Sequence, residues 1–468
     1  MVARIFKHPW QLSVLWSSML AIICLANSPR LAVWLLSFAD SASFIPVERY
    51  LNWDFLTVFT LVHYSIPAAF GLYHSRQRGV LLSILVRVVF GGLCGWAILA
   101  FLLNFSGGNE FANRWLFVSS LIASLQLLII RVALEKLSER GWFKKKVLIL
   151  GAGRRAANLL KLRRRTDRRG FKVVGFVICD GDAEHQVPSA QCVNVGDDLL
   201  KYCSDHLIDE IVVAMDDRRV GFPMHELLSC RLDGIKITEL IEFLERETGK
   251  VFLDAINPSW MIFSDGFGNG RWHALLERLA DVFASALLLL ITSPVMLLTV
   301  LAIKLEDGFD APVLYRQIRV GAHNKKFKLF KFRSMCIDAE PDGQAVWASQ
   351  ADSRVTKVGR LIRGLRIDEL PQVMNVFRGE MSFVGPRPER PEFYDKLEEK
   401  VPYYRERAQV KPGITGWAQI CYPYGSTDKD AIEKLQYDLY YIKNHNLFLY
   451  FLVILQTVEV IIWRKGAR

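Results

Sequence analysis

Blocks of apolar residues before residue 140 are the feature that most restricts how this chain can fold. Four stretches, at 12–36, 53–73, 80–104 and 114–137, each approach the roughly 20 residues that a helix needs to cross a bilayer core. Basic residues precede the first stretch and follow the second and the fourth. Because cytoplasmic flanks carry the excess of Lys and Arg, residues 1–140 are predicted to form a bundle of four transmembrane helices with both ends in the cytoplasm.

Composition narrows the class of protein further. The chain has 468 residues, is 51% hydrophobic and carries a formal net charge of +11, and its length predicts two or three folding units. We attribute most of this charge to membrane flanks, since no pattern of interleaved basic and aromatic residues indicates nucleic-acid binding. The eight cysteines show neither paired nor metal-ligand spacing. They predict free thiols in a reducing compartment, with no disulfide framework and no zinc site.

Short apolar runs alternate with polar helical segments over residues 146–260, which predicts a Rossmann-like βαβ domain with a parallel sheet. The first run leads into a glycine-rich turn whose fixed positions, Gly151, Gly153 and Ala156, match a dinucleotide-binding fingerprint. Asp180 ends the next predicted strand, near the place of a ribose-binding acid. Two roles stay open for this domain, one structural or regulatory and one in nucleotide binding.

A fifth apolar run, 282–303, is long enough to span a membrane, but two features argue against a spanning helix. Ser293 and Pro294 interrupt the run, and proline removes a backbone donor, which predicts a kink. Basic residues also flank both ends, so a spanning helix would place one basic cluster on the outside. We therefore predict a re-entrant helix that dips into one leaflet and returns to the cytoplasmic side.

Reactive residue types are densest over 354–391. Four arginines precede the adjacent carboxylates Asp368 and Glu369, and Arg387 follows between two prolines. Taken alone, the arginine-rich piece also fits a solvated basic face. Together, guanidinium groups that bind phosphate and paired carboxylates that bind Mg²⁺ indicate phosphate chemistry. A carboxylate can also attack phosphorus as a nucleophile.

Four ordered motifs in this part of the chain resemble the bacterial sugar transferases, or monotopic phosphoglycosyl transferases. They are Lys331-Phe332-Arg333-Ser334-Met335, Asp368-Glu369-Leu370-Pro371-Gln372, Met381 to Glu389, and Lys411-Pro412-Gly413-Ile414-Thr415-Gly416-Trp417. The resemblance implies an α/β catalytic domain over 272–468 that contains the re-entrant helix near its start. The four membrane helices and the βαβ domain ahead of it resemble the large subclass, whose members start exopolysaccharide synthesis.

The resemblance also implies an activity: transfer of hexose 1-phosphate from a UDP-sugar to undecaprenyl phosphate, with release of UMP. In that reading Asp368 is the nucleophile, and Asp368 with Glu369 holds Mg²⁺. Arg363 and Arg387 bind phosphate, as do Lys331 and Arg333. The expected location is the bacterial inner membrane, with the catalytic domain facing the cytoplasm, and a homodimer is an expectation for the large subclass.

Two alternatives remain at this stage. Within the family, the sugar is glucose by our first expectation and galactose by our second. From another class, the glycine-rich turn suggests a membrane-tethered, NAD-dependent nucleotide-sugar dehydratase or epimerase. The sequence contains no Tyr-x-x-x-Lys pair, so the usual catalytic base of such an enzyme is missing.

Overall fold

Helices occupy the apolar stretches of the first 140 residues wherever the structure describes them. The computed structural model describes residues 21–32, 53–69, 81–105, 110–139, 144–162, 170–256, 270–336 and 354–462, except 183, 185, 197, 423, 424 and 426, together with 264 and 266. Helix α1 covers described residues 21–32, followed by α2 (Trp53–Ala69), α3 (Leu81–Phe105) and α4 (Glu110–Glu139). The rest of the first predicted stretch, 12–20 and 33–36, lies outside the described residues.

Side chains from all four helices pack in one apolar core, to which Leu25, Phe59, Val88 and Leu116 each contribute from a different helix. Among the described helices of this region, two are long and apolar enough to cross a membrane, over Ile84–Phe105 and Asn113–Leu134. Their outward faces carry exposed leucine and phenylalanine, as lipid-facing helices do. Membrane crossing by α1 and α2 stays a prediction.

A parallel five-stranded sheet follows the apolar helices. Its strands are β1 (Lys145–Leu150), β2 (Phe171–Val177), β3 (Cys192–Val193), β4 (Glu210–Val213) and β5 (Lys236–Glu239). The helices are α5 (Arg154–Ala157), α6 (Leu199–His206), α7 (Met224–Leu232) and α8 (Leu240–Thr248). The strand order β3-β2-β1-β4-β5 is that of a doubly wound fold, and the last four residues of its central strand, Val147 to Leu150, are apolar and buried, as in a parallel sheet covered on both faces.

The chain divides into two compact units, Met1–Gly249 and Lys250–Arg468. Val251 is fully buried in the apolar core of the second unit, and Leu253 and Ile256 pack against that core. The predicted domain end at residue 260 is therefore later than the division in the structure, because the side chains of this connecting segment belong to the second core.

The second unit combines one long helix, two small sheets and a set of short helices. Its helices are α9 (Arg271–Asp307), α10 (Lys357–Gly364), α11 (Gln372–Arg378), α12 (Pro391–Lys400), α13 (Trp417–Cys421), α14 (Asp428–Lys443) and α15 (Leu447–Ile462). Strands β6 (Leu314–Val320) and β7 (Lys326–Phe332) form an antiparallel hairpin, and β8 (Ser382–Val384) pairs in parallel with β9 (Gly413–Thr415). Buried side chains of α14 and α15 form the centre of its largest core.

Helix α9 has 37 residues and contains Pro294, and it is the third described helix that is long and apolar enough to cross a membrane. If straight, it would be about 55 Å long. Its middle is highly exposed: Leu290 and Ile291 are 73% and 64% accessible. A leucine-rich surface of this kind is stable only when lipid or another apolar surface covers it.

Candidate active site

The two adjacent carboxylates lie on a single tight turn. Asp368 and Glu369 belong to a 3₁₀ turn, Ile367–Glu369, and Arg366 immediately before it has left-handed backbone angles with φ of 59°. A non-glycine residue in this region stores about 1–3 kcal/mol of strain, which the surrounding structure must offset. The turn therefore holds the carboxylate pair in a conformation that the local sequence alone would not favour.

Glu369 faces three cations. Lys331 Nζ donates a hydrogen bond of 3.1 Å to Glu369 Oε1, and Arg387 Nη2 lies 3.7 Å from the same oxygen. Arg366 Nη1 lies 3.9 Å from the other carboxylate oxygen. Burial alone would raise the pKa of Glu369, but Lys331, Arg387 and Arg366 together lower it to about 2. Glu369 is therefore ionised throughout the physiological pH range.

Asp368 has a different environment from its neighbour. It is 9% exposed and has no ion pair within 4.0 Å among the described residues. Burial raises the pKa of Asp368, and the negative charge of Glu369 raises it further, although Lys331 and Arg363 oppose both effects. A carboxylate whose charge is poorly solvated and unpaired is more nucleophilic than one in a salt bridge, so the environment of Asp368 suits a nucleophile better than that of Glu369 does.

Of the four predicted phosphate-binding residues, three lie around this pair and one does not. Arg363, in the last turn of α10, is close enough for its charge to act on Asp368, whereas Lys331 and Arg387 face Glu369. Arg333 is buried and donates from Nη2 to Asp307 Oδ2 at 2.6 Å. It thus binds the C-terminal end of α9.

Arg387 lies on a loop whose backbone accepts hydrogen bonds from two other arginines. The backbone carbonyl of Arg387 accepts a hydrogen bond of 3.1 Å from Arg407 Nη2, and the Pro388 carbonyl accepts one of 3.0 Å from Arg319 Nη1. Both guanidinium groups are mostly buried, and burial lowers the pKa of Arg319 to about 10. The side chain of Arg387 therefore projects from a backbone that is anchored at two consecutive carbonyl groups.

Glycines explain why two of the sequence motifs lie together. Strands β8 and β9 pair through Ser382–Gly413 and Val384–Thr415. A Cβ atom at Gly385 would lie 2.2 Å from the Lys411 carbonyl oxygen, so only glycine permits this approach of the two backbones. The Lys411-Pro412-Gly413 motif thus supports the loop that carries Arg387.

Sequence reasoning missed several positioning residues. Asn375 is fully buried, accepts a hydrogen bond from the Phe330 backbone N–H at 3.1 Å and donates to the Lys328 carbonyl at 2.8 Å. It thereby ties helix α11, which follows the carboxylate pair, to the strand that carries Lys331. Arg319 and Arg407 were also missed. No local pattern marks any of the three, because their partners are distant in sequence.

The two ends of α9 are hydrogen bonded to the same unit. Near its start, Arg278 Nη1 donates to the Val376 carbonyl on α11 at 2.7 Å. Near its end, the carboxylate of Glu306 accepts from the backbone N–H of Lys357 at 2.8 Å, at the first residue of α10. Polar contacts thus anchor both ends of the helix, whereas its apolar middle is exposed.

The five-stranded sheet and helices α5–α8 form what we call the α/β unit, and its glycine-rich turn follows β1. The carboxylate of Asp216 occupies this turn. Asp216 accepts hydrogen bonds from the backbone N–H groups of Arg154 at 2.9 Å and Arg155 at 2.8 Å. A Cβ atom at Gly153 would lie 2.1 Å from an Asp216 carboxylate oxygen. These N–H groups are the donors that a dinucleotide phosphate uses at such a turn. A nucleotide would have to displace Asp216, so this feature disfavours the NAD-dependent alternative.

Helix α5, which begins at this turn, has only four residues and includes Ala156. A helix this short contributes little of the N-terminal dipole that stabilises a bound phosphate. Nucleotide binding by Gly151, Gly153 and Ala156 stays a prediction that this geometry does not favour.

Comparison with known proteins identifies the family to which the chain belongs. Residues 272–464 match the family model described as bacterial sugar transferase, and residues 68–220 match one described as CoA-binding domain. An N-acetylgalactosamine phosphotransferase acting on undecaprenyl phosphate, from Aeromonas hydrophila, is 39% identical over 54% of this chain and 58% of its own length. An undecaprenyl-phosphate glucose phosphotransferase from Komagataeibacter xylinus is 34% identical over 69% of this chain and 60% of its own.

A third relative is covered more completely. The UDP-glucose:undecaprenyl-phosphate glucose-1-phosphate transferase of Klebsiella pneumoniae is 32% identical over 68% of each chain. The chain spans about three fifths of the length of the Aeromonas and Komagataeibacter relatives. The mixed α/β fold of the second unit and its apolar helix, which is long enough to cross a membrane, define a membrane-type α/β protein. The chain belongs to the bacterial sugar transferase family, as the four motifs predicted.

Proposed function

We propose that the chain transfers hexose 1-phosphate from a UDP-sugar to undecaprenyl phosphate and so starts an exopolysaccharide repeat unit. The observation that carries this proposal is the pairing of a buried, unpaired carboxylate, Asp368, with a neighbour, Glu369, that three cations hold. This combination suits a nucleophile that attacks phosphorus inside a phosphate-binding site. The names of the relatives support the same reaction class.

The proposed reaction has two displacements at one phosphorus atom. A carboxylate oxygen of Asp368 attacks the β-phosphorus of the UDP-sugar, the bond to the bridging oxygen breaks, and UMP leaves with that oxygen. The product is an acyl phosphate on Asp368 that carries the sugar. A phosphate oxygen of undecaprenyl phosphate then attacks the same phosphorus, and the bond between this phosphorus and Asp368 breaks. This step frees the Asp368 carboxylate and gives the undecaprenyl diphosphate sugar.

The surrounding residues have separable roles in this scheme. Lys331 and Arg387 face the carboxylate pair and stabilise the negative charge of the diphosphate and of the transition state. Glu369 holds these cations in place, because it stays ionised and contacts both. Lys331 and Arg363 oppose the rise in the pKa of Asp368 that burial and Glu369 cause, and so favour the charged form of the nucleophile.

We propose Mg²⁺ as the metal of this site, with Asp368 and Glu369 as its protein ligands. The unpaired carboxylate of Asp368 fits an ion that prefers one or two carboxylates together with phosphate oxygens and water. When bound, the ion neutralises the diphosphate. Cations outnumber carboxylates around the pair, so we expect Mg²⁺ to bind together with the UDP-sugar and only weakly without it.

The sugar is proposed to be glucose, which remains our first candidate. Two of the relatives compared above are named for glucose and one for N-acetylgalactosamine, which makes UDP-N-acetylgalactosamine the donor to test next. A relative from Salmonella typhimurium that is named for galactose is 26% identical. Galactose therefore stays a third candidate.

Helix α9 supports the proposed membrane topology. A spanning helix would place its two ends on opposite sides of about 30 Å of hydrocarbon. One folded unit instead binds both ends, through Arg278 and Glu306. We propose that α9 bends at Ser293 and Pro294 and re-enters the cytoplasmic face, so that Asp368 works at the depth of lipid phosphates. We propose accordingly that the protein lies in the bacterial inner membrane with its second unit in the cytoplasm, and that it forms a homodimer.

The test uses full-length protein in membranes with Mg²⁺, undecaprenyl phosphate and a panel of UDP-sugars. Asp368→Asn keeps the size of the side chain but removes the nucleophile, so it should abolish both UMP release and lipid product. The matched control is Asp428→Asn, an exposed aspartate that pairs with Lys400 and should leave both readouts unchanged. UMP release at the normal rate by Asp368→Asn would overturn the proposal.

A further inference from the structure

Two histidines and a glutamate converge at the base of helix α9, away from the carboxylate pair. His273 and Glu277 are four residues apart and so lie on the same face of this helix. His445 reaches them from the short link between α14 and α15. One potential ligand atom from each of the three residues lies within 4.8 Å of the others. Two segments that are far apart in sequence thus bring three metal-ligand side chains to one point.

The contacts within this triad are those of donors that face a common centre. His445 Nε2 lies 3.4 Å from Glu277 Oε2, and both side chains are largely buried. The two imidazole rings are nearly perpendicular, at 87°, with centroids 4.9 Å apart. His273 Nε2 is buried and has no hydrogen-bond partner in the described part of the chain. A buried nitrogen without a partner is costly unless a ligand satisfies it.

The outer contacts of the triad also fit a metal site. Ser382 Oγ lies 3.2 Å from both Glu277 Oε1 and Asp281 Oδ1 and shares its one proton between them, whereas Glu277 Oε2 faces His445. Ligating carboxylates are commonly oriented by such a second hydrogen bond. Tyr441 packs against the His445 ring, with centroids 4.8 Å apart, and restricts its rotation. Both the carboxylate and one imidazole are therefore fixed before any ion binds.

We propose that His273, Glu277 and His445 form a zinc site. Two imidazoles and one carboxylate are a ligand set that Zn²⁺ takes with water in the fourth position, at about 2.0–2.2 Å from each donor. Tetrahedral geometry then needs donors about 3.3 Å apart, so the triad, whose ligand atoms lie within 4.8 Å of one another, has to close by up to about 1.5 Å on its longest side. Mg²⁺ prefers oxygen ligands and octahedral geometry, so it does not compete well here.

The consequence is structural. An ion bound here joins the start of α9 to the link between α14 and α15, whose helices form the largest core of the unit. The zinc site would therefore fix helix α9 to the folded core at its first two turns. The sequence did not predict this site. Its ligands come from two distant segments and therefore form no local metal-ligand spacing.

The test measures zinc bound to the purified full-length protein, produced without a histidine tag and dialysed against excess Mg²⁺. Elemental analysis should find one Zn²⁺ per chain. Competition with a chromophoric chelator gives the affinity, and Co²⁺ in place of Zn²⁺ should show the visible absorption of a tetrahedral site. His445→Gln and His273→Gln should each lose the bound ion and the Co²⁺ absorption.

Three controls make the result decisive. His225→Gln removes an exposed histidine of the α/β unit and should retain one Zn²⁺ per chain. Asp368→Asn should also retain it, which separates this site from the proposed Mg²⁺ site. Circular dichroism checks folding, and either histidine variant that folds is sufficient. Wild-type protein without zinc after dialysis, or equal zinc in the folded triad variants and His225→Gln, would overturn the proposal.

Discussion

Arg407 donates a hydrogen bond of 3.1 Å from its buried guanidinium to the backbone carbonyl of Arg387, whose own side chain faces Glu369. The same Nη2 lies 3.0 Å from Asp438 Oδ2, and the two side chains are 8% and 3% exposed. Although burial opposes it, Tyr404 and the nearby carboxylates raise the pKa of Arg407, so it remains charged. The buried Arg407–Asp438 ion pair therefore helps to fix the backbone of the loop that carries Arg387.

Arg407→Met should destabilise the second unit, because it leaves the Asp438 carboxylate buried without its cation. Breaking a buried pair in this way costs about 3–5 kcal/mol. The loop that carries Arg387 also loses an anchor, so KM for the UDP-sugar should rise. Thermal unfolding and steady-state kinetics of UMP release measure the two effects.

Two controls accompany this change. Lys400→Met breaks the exposed Lys400–Asp428 pair, whose side chains are 61% and 65% accessible, and should change stability little because solvent already screens it. Arg407→Met combined with Asp438→Leu removes both charges and should recover part of the lost stability. A stable Arg407→Met protein with an unchanged KM would contradict the role that we assign to the pair.

Gly385→Ala should reduce activity strongly, because its Cβ atom would lie 2.2 Å from the Lys411 carbonyl oxygen and would push strand β8 away from β9. The displaced backbone carries Arg387, so kcat/KM should fall by a larger factor than the loss of folded protein alone would explain. Gly364→Ala is the matched control, since nothing lies within 4 Å of a Cβ atom there. Equal activity of the two alanine variants would show that the close approach does not position Arg387.

The pH dependence of the first displacement should report Asp368. Its pKa is raised by burial and by Glu369, and the carboxylate attacks only when ionised. UMP release should therefore fall as the pH drops through a value above the usual 3.9 or so of aspartate. Lys331→Met removes a cation that lowers this pKa, so its acid limb should move to still higher pH. A rapid-quench profile with the acid limb at or below the ordinary value would contradict this assignment.

The α/β unit should not bind NAD in its wild-type form, because Asp216 occupies the N–H groups of Arg154 and Arg155. Equilibrium dialysis of the purified protein with NAD tests this directly. Asp216→Ala should lower the stability of the unit by about 1 kcal/mol, since two backbone donors lose their acceptor. Tight NAD binding that Gly153→Val abolishes would contradict this account and revive a nucleotide-binding role.

The topology of α9 can be tested with reporters fused after residues 275 and 310. Because one unit binds both ends of the helix, both fusions should report a cytoplasmic location. Opposite readings would mean that α9 spans the membrane. Pro294→Leu should favour a straight helix, and loss of activity without loss of expression would link the bend to function.

Sequence motifs located much of the candidate site. Lys331, the Asp368–Glu369 pair and Arg387 stand in three separate motifs, with Arg363 shortly before the pair, and the fold brings them around one turn. Each motif is local, so the pattern of residue types was visible along the chain. The parallel α/β sheet was also predictable, because its central strands contain short apolar runs, Val147 to Leu150 and Ile211 to Val213, that polar segments separate.

Other parts of the site depend on contacts between distant segments. Arg333 was expected to bind phosphate, but it binds Asp307, and this contact depends on where α9 ends. Arg407 supports Arg387 only because β8 and β9 bring their loops together. The strained backbone of Arg366 likewise has no sequence signal, since no glycine marks it. Tertiary packing decides these features, and local propensity carries no information about them.

The central claim is that Asp368 carries the phosphosugar between the two displacements. The most direct measurement incubates the purified protein with Mg²⁺ and a UDP-sugar labelled at the β-phosphate, in the absence of undecaprenyl phosphate. Acid quenching and peptide mapping should place the label on the peptide that contains Asp368, in an amount equal to the UMP released. UMP release without protein-bound label, or label on another residue, would contradict the account.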